Sequence, residues 1–172
     1  MKELKDYRIA YQGLELGDHE FEFVINDEFF AAFESKDVER GNIQVSINLE
    51  KKETIMQLEI SMSGLVEVSC SRCLDKFNRP VFIEEDLIVK QGNETFEESE
   101  EVLVLSENED YLDLAQYFYE YIMLSLPFQV IHPDDEDGES TCDPEILKRL
   151  EGVQEEEEKT DPRWDALKKL KK

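Results

Sequence analysis

Cations are scarce in this 172-residue chain: nineteen Lys and Arg stand against forty-three Asp and Glu, for a formal net charge of −24 at pH 7. Direct binding to nucleic acid exchanges condensed counterions for protein cations, so this deficit excludes a broad phosphate-binding face. It disfavours an anionic membrane surface for the same reason. Basic proteins and cations are the partners that such a field attracts. Long apolar runs are missing too. No segment reaches the roughly 18 apolar residues that a membrane helix requires. The N-terminal Met1-Lys2-Glu3-Leu4-Lys5-Asp6 has no apolar run behind its charges to serve as a secretory signal. These absences predict a cytoplasmic protein with no membrane association. Histidine is limited to His19 and His132, and no P-loop, nucleophile elbow or dinucleotide fingerprint occurs. The carboxylates cluster in loops and runs without calcium-loop spacing, which assigns neither an acid–base pair nor a calcium site. The chain is therefore expected not to be an enzyme. Three cysteines, an odd number, argue against a closed disulfide framework. In a reducing compartment, closely spaced cysteines signal metal or redox chemistry instead.

What is present is enough for one core. Forty per cent hydrophobic residues, with ten Phe, six Tyr and one Trp, is too apolar for a wholly disordered chain. Phe21, Phe23 and Ile25 alternate with Glu20, Glu22 and Val24, the period of a strand. Asn26 or Asp27 can then cap a short helix carrying Phe29, Phe30, Ala32 and Phe33. Ile43, Val45, Ile47 and Leu49 interleave with Gln44, Ser46 and Asn48, which predicts a strand with one wet face. A longer strand follows, with Leu58, Ile60, Met62, Gly64, Val66, Val68 and Cys70 on even positions; Gly64 suggests a bulge or bend. Val81, Ile83, Leu87 and Val89 mark another strand, and Val102 to Leu105 a short one, separated by an acidic loop at 91–101. Ala115, Phe118, Tyr119, Ile122 and Leu126 then take helical spacing, with Asp113 near the start and Pro127 at the end.

Beyond Pro127 lie an acidic loop at 134–140, a short helix from Pro144 to Leu150 begun by Asp143, and a charge run at 154–159 expected to be solvated and mobile. The expected architecture is α+β. It is a curled, mostly antiparallel β-sheet or partial barrel with a few packed helices and an acidic, partly disordered C-terminal region. Residues 1–150 form the domain, 151–160 an acidic linker and 161–172 a short basic helix.

The sharpest local feature is Cys70-Ser71-Arg72-Cys73, with His132 and Cys142 far downstream. Two thiolates two residues apart can grip one tetrahedral ion from a single turn, and Cys142 with His132 would complete a Cys3His zinc set. Gly138 between His132 and Cys142 lets both turn back on one site, which would tie the acidic loop to the end of the long strand. Two other readings stand beside zinc. Cys70 can be a buried small hydrophobe with Cys73 and Cys142 as spare thiols. The pair can also be a redox Cys-x-x-Cys, although it lies between strands instead of opening a helix that lowers its pKa. The closing Asp161-Pro162-Arg163-Trp164 opens a helix with Leu167 and Leu170 on one face and Lys168, Lys169, Lys171 and Lys172 at its end. Such a helix on a mobile tether can dock in a partner's groove or fold back onto its own sheet.

Together these stretches resemble the YceD family, named for large ribosomal RNA subunit accumulation. The resemblance rests on Val68-Ser69-Cys70-Ser71-Arg72-Cys73-Leu74, the helix leading into Leu126-Pro127, the His132–Cys142 segment, and Asp161-Pro162-Arg163-Trp164 with Leu167-Lys168-Lys169-Leu170. It implies a bacterial or plastid cytosolic protein without known enzymatic activity. Such a protein is needed for normal 23S ribosomal RNA, through synthesis, processing or stability, and its gene commonly neighbours that of a small large-subunit ribosomal protein. The expected function is thus a ribosome-biogenesis factor, a monomer acting through protein contacts. Its partner is a large ribosomal subunit precursor or a basic ribosomal protein. Arg72, Arg163, Trp164, Leu167, Lys168 and Lys169 are the expected partner-binding residues, and contact with RNA is indirect, or local through Arg72 and the terminal lysines. A thiol redox protein using Cys70 and Cys73, or an acidic mimic of nucleic acid, are the competing readings.

Overall fold

A computed structural model describes residues 3–157 of the chain. The basic segment 161–172, with Arg163, Trp164, Leu167, Lys168 and Lys169, lies outside the described residues, as does the end of the acidic linker. The chain divides into two compact units, Met1–Val68 with Lys76–Phe128 and Ser69–Asp75 with Gln129–Lys172.

The first unit is built on a six-stranded sheet, and its strands form where the sequence alternates. β2 (Gly17–Ile25), β3 (Arg40–Lys51), β4 (Ile55–Ser69) and β5 (Lys76–Gly92) lie side by side in that order. Ile43, Ile47, Leu58 and Ile60 are buried on one face, while Gln44, Asn48, Glu59 and Ser61 between them are exposed. The short helix α1 (Asp27–Ala32) starts as expected, with Asn26 Oδ1 accepting the N–H groups of Glu28 at 3.1 Å and Phe29 at 3.4 Å. β3 and β4 pair antiparallel without a register break from Arg40↔Glu67 to Lys51↔Met56. Gly64 therefore makes no bulge against β3. A Cβ there would stand 2.6 Å from the Cα of Ile43 on the facing strand and would also strike the Asn42 carbonyl, so glycine permits the close approach.

The acidic stretch 91–101 is not all loop. β6 (Phe96–Ser99) pairs antiparallel with β7 (Val102–Ser106), and β7 pairs parallel with β5. All four β6 side chains are exposed, so main-chain pairing leaves no trace in the hydropathy pattern. The sheet is largely antiparallel and open, with β2 and β6 at its edges. A second ladder joins β1 (Arg8–Ile9) to β8 (Leu112–Asp113), and two residues are too few for periodicity to reveal. β1 and β8 also share the Arg8–Asp113 ion pair at 2.8 Å.

α2 (Ala115–Ser125) follows directly, its first N–H donating to Asp113 Oδ1 at 3.1 Å. Leu126 is already extended (ψ 134°), as a residue before Pro127 must be. Phe118 and Ile122 face the core, where Tyr7, Phe23, Phe29 and Phe118 form an edge-to-face and tilted ring cluster. Tyr119 stacks on Phe33 with centroids 4.4 Å apart and planes 6° from parallel.

The second unit carries α3 (Pro144–Glu157), begun as expected by Asp143, whose Oδ1 accepts the Glu145 N–H at 2.8 Å. The helix runs on through Glu157, well past the expected end at Leu150, and takes in residues assigned above to the acidic linker. Glutamate is a good helix former, so a run of it continues a helix already nucleated.

Candidate metal centre

In the second unit, Cys70–Asp75 fold into a tight knuckle. The Leu74 N–H donates to the Cys70 carbonyl and the Cys70 N–H to the Asp75 carbonyl, each at 2.9 Å. The turn closes only because Leu74 takes a left-handed backbone (φ 66°), a position where glycine is the relaxed choice. The Ser71 N–H donates to the Val130 carbonyl at 2.7 Å, which holds the knuckle against the strand of chain that carries His132.

His132 and Cys142 are brought together by a hairpin made of the acidic loop. Asp134 and Ser140 form an antiparallel bridge, and Gly138 (φ 82°) supplies the turn. Asp135 Oδ1 accepts the N–H groups of Asp137 at 3.0 Å and Glu139 at 2.8 Å, so one of the many carboxylates has a structural task. Thr141 Oγ1 donates to the Pro133 carbonyl at 2.7 Å one step nearer the ends.

The result is a cluster of three sulfurs and one imidazole nitrogen, all within 4.8 Å of one another. Cys70 Sγ lies 3.6 Å from Cys142 Sγ. His132 Nδ1 lies 3.3 Å from Cys73 Sγ and 3.5 Å from Cys142 Sγ. Zinc with Zn–S near 2.3 Å and Zn–N near 2.0 Å spans a tetrahedron whose S···S edges are about 3.8 Å and S···N edges about 3.5 Å. The donor set and these edges fit a tetrahedral zinc. Cys70, Cys73 and Cys142 are buried and His132 is half-buried. With four protein ligands no coordination position is left for substrate, the pattern of a structural site.

The electrostatics of the cluster favour ligation. Burial pushes the Cys70 thiol up, but main-chain N–H groups of Cys73, Arg72 and His132, with the Cys142 side chain, outweigh it and bring the value down to about 6. The Arg72 N–H stands 3.4 Å from that sulfur. Cys73 moves the other way: burial and the neighbouring Cys70 and Cys142 raise it against N–H groups of Asp75 and Asp143. Three buried sulfurs cannot all carry charge together unless a cation joins them. A bound zinc would supply that charge and cross-link the knuckle, the hairpin and the start of α3.

The four ligand candidates named from spacing are thus the four residues brought together. Arg72 is exposed on the knuckle. Leu74, Asp135 and the Val130 carbonyl were not singled out by spacing, and only the Gly138 turn signal hinted at the hairpin. His19 stands apart at the start of β2, its ring 2.9 Å from the Glu15 carbonyl. Among the described residues no helix is long and apolar enough to cross a membrane.

No curated protein and no solved structure matches the chain. A family model described as "Large ribosomal RNA subunit accumulation protein YceD" matches residues 58–171, well over half of the sequence and the whole of the Cys/His set. The chain therefore belongs to the YceD family, whose description assigns a role in accumulation of the large ribosomal RNA subunit.

Proposed function

We propose that this protein is a non-enzymatic, cytoplasmic ribosome-biogenesis factor that supports accumulation of 23S ribosomal RNA as a monomer, through protein contacts. The family match across residues 58–171 is the observation that carries this reading. The charge of −24 adds its direction: the chain attracts a basic protein and repels phosphate. Cys70, Cys73, His132 and Cys142 hold a structural zinc that stabilises the second unit, and this use of all three cysteines as ligands disfavours a thiol redox enzyme. Arg72 and the basic segment with Arg163, Trp164, Leu167, Lys168 and Lys169 make the local contacts to partner or RNA.

Depletion of the protein in cells should lower 23S relative to 16S ribosomal RNA. The chain should also co-sediment with large-subunit precursors in a salt-sensitive way. Unchanged rRNA ratios together with equal recovery alongside unrelated proteins would overturn the reading.

A further inference from the structure

The two edges of the main sheet differ. β6 is short, four residues with every side chain exposed. β2 is nine residues long with no proline and no lysine, and its pairing with β3 has no bulge from Gly17↔Lys51 to Ile25↔Ile43. A long, regular edge is a template for another strand unless something guards it.

Two hydrogen bonds fix which groups face outward. The Gly41 N–H on β3 donates to Asp27 Oδ1, just beyond β2, and the Tyr7 hydroxyl donates to the Val24 carbonyl. Odd residues of β3 therefore face β2, and even residues of β2 turn their N–H and C=O away from it. Among the described residues, Val24 alone of these has found a partner on that side; the main-chain groups of Asp18, Glu20 and Glu22 present a free ladder. Their side chains lie on the exposed face of the sheet, and Phe21 and Phe23 between them are half-buried at the rim of the core.

We propose that β2 is a docking edge for an extended segment of another protein in which basic and apolar residues alternate. Main-chain hydrogen bonds to residues 18–22 supply the affinity, as in other strand-addition complexes. The basic side chains fall beside Asp18, Glu20 and Glu22. Behind these acids, Glu50, paired with Lys52 at 2.7 Å, lies opposite Asp18, and Glu59 continues the row through Asn48, so carboxylates stand on three strands. The apolar side chains fall on the opposite face, beside Phe21 and Phe23, and complete the core's rim. A second copy of this chain does not fit, because its β2 would set the same three acids against these three. This inference rests on the proposed preference for a basic protein partner and adds the place and conformation of binding.

The test uses the purified full chain and a labelled nine-residue peptide of alternating Lys and Val, with a Glu/Val peptide as control, read by fluorescence anisotropy. The Lys/Val peptide should bind and the Glu/Val peptide should not. Two further Lys/Val peptides carry main-chain N-methyl groups on either set of alternate residues; only the set facing β2 should lose binding, by at least about tenfold. Glu20→Pro removes one outward N–H, a change that an edge strand tolerates, and should weaken binding by at least about tenfold, with Glu20→Gln losing only about two- to threefold. Equal binding by both N-methylated peptides, or unchanged binding by a folded Glu20→Pro variant, would show charge attraction alone and overturn the inference. So would failure of the Lys/Val peptide to bind, which leaves the acids as guards against self-pairing. Co-sedimentation with precursors scores the proposed function separately: precursors that retain wild type and Glu20→Pro equally would sink the docking edge and leave that function standing.

Discussion

Replacing Cys142 by Ala separates a metal ligand from a buried thiol by magnitude. Cys142 sits on two short edges of the cluster, 3.6 Å from Cys70 Sγ and 3.5 Å from His132 Nδ1. Structural zinc binds zinc-finger peptides with an apparent 10–16 kcal/mol, so one of four ligands carries about 3 kcal/mol. Losing it should weaken zinc affinity by about two orders of magnitude. If Cys142 were only a small hydrophobe, the same substitution would cost about 1 kcal/mol of stability and leave metal binding alone. The assay is competition for zinc against a chromophoric chelator, paired with urea unfolding with and without excess chelator. Wild type should hold one zinc per chain, with the chelator lowering its urea midpoint. Cys142→Ala should yield its zinc to the competitor and unfold at one midpoint whether or not chelator is present. A wild-type protein that carries no zinc when purified under reducing conditions, or a variant that binds it equally well, would refute the metal centre.

Four further outcomes follow from the structure. In reduced, metal-free protein one thiolate should appear in the ultraviolet titration with a midpoint near pH 6 and vanish in Cys70→Ser, because that folded thiol is held far below its ordinary value. The sign is that of a depressed group: its contribution to apo-protein stability is full above the ordinary thiol pKa near 9 and is lost as pH falls through about 6, which urea midpoints across that range should show. Leu74→Gly should stabilise the knuckle by about 1 kcal/mol, since Leu74 is left-handed and its side chain is exposed; an unchanged or lower midpoint would contradict the strain. Gly64→Val should destabilise the first unit by about 3 kcal/mol or prevent folding, because the added Cβ meets the backbone of the facing strand, which cannot move aside as a side chain would; retention of the wild-type midpoint would contradict that.

Residue order alone made some features of this molecule legible. Period-two alternation around Ile43–Leu49 and Leu58–Val68 marked β3 and β4 and their buried faces, because a strand's faces are set by local geometry. Asn26, Asp143 and Pro127 marked helix ends through bonds made within a few residues, and the parity of β4 put Cys70 on the buried side. The donor types and the two-residue spacing of Cys70 and Cys73 made a metal the natural reading, since those are the atoms that zinc prefers.

Contacts between distant segments were decided only by the folded chain. Parallel pairing of β5 with β7 and the edge position of β6 depend on main-chain bonds that carry no side-chain signature. The role of Gly64 as a point of close approach to β3 depended on the facing strand. Cys70, Cys73, His132 and Cys142 are spread over more than seventy residues, and sequence named them only as candidates. Their meeting within 4.8 Å requires the Leu74 turn, the Asp135 hairpin and the Ser71–Val130 bond together, a long-range closure that local propensity cannot encode. The scarcity of cations was a property of the whole chain from the start; tertiary structure gave part of it a place, setting Asp18, Glu20 and Glu22 along a free sheet edge, because only pairing order decides which strand is left without a neighbour.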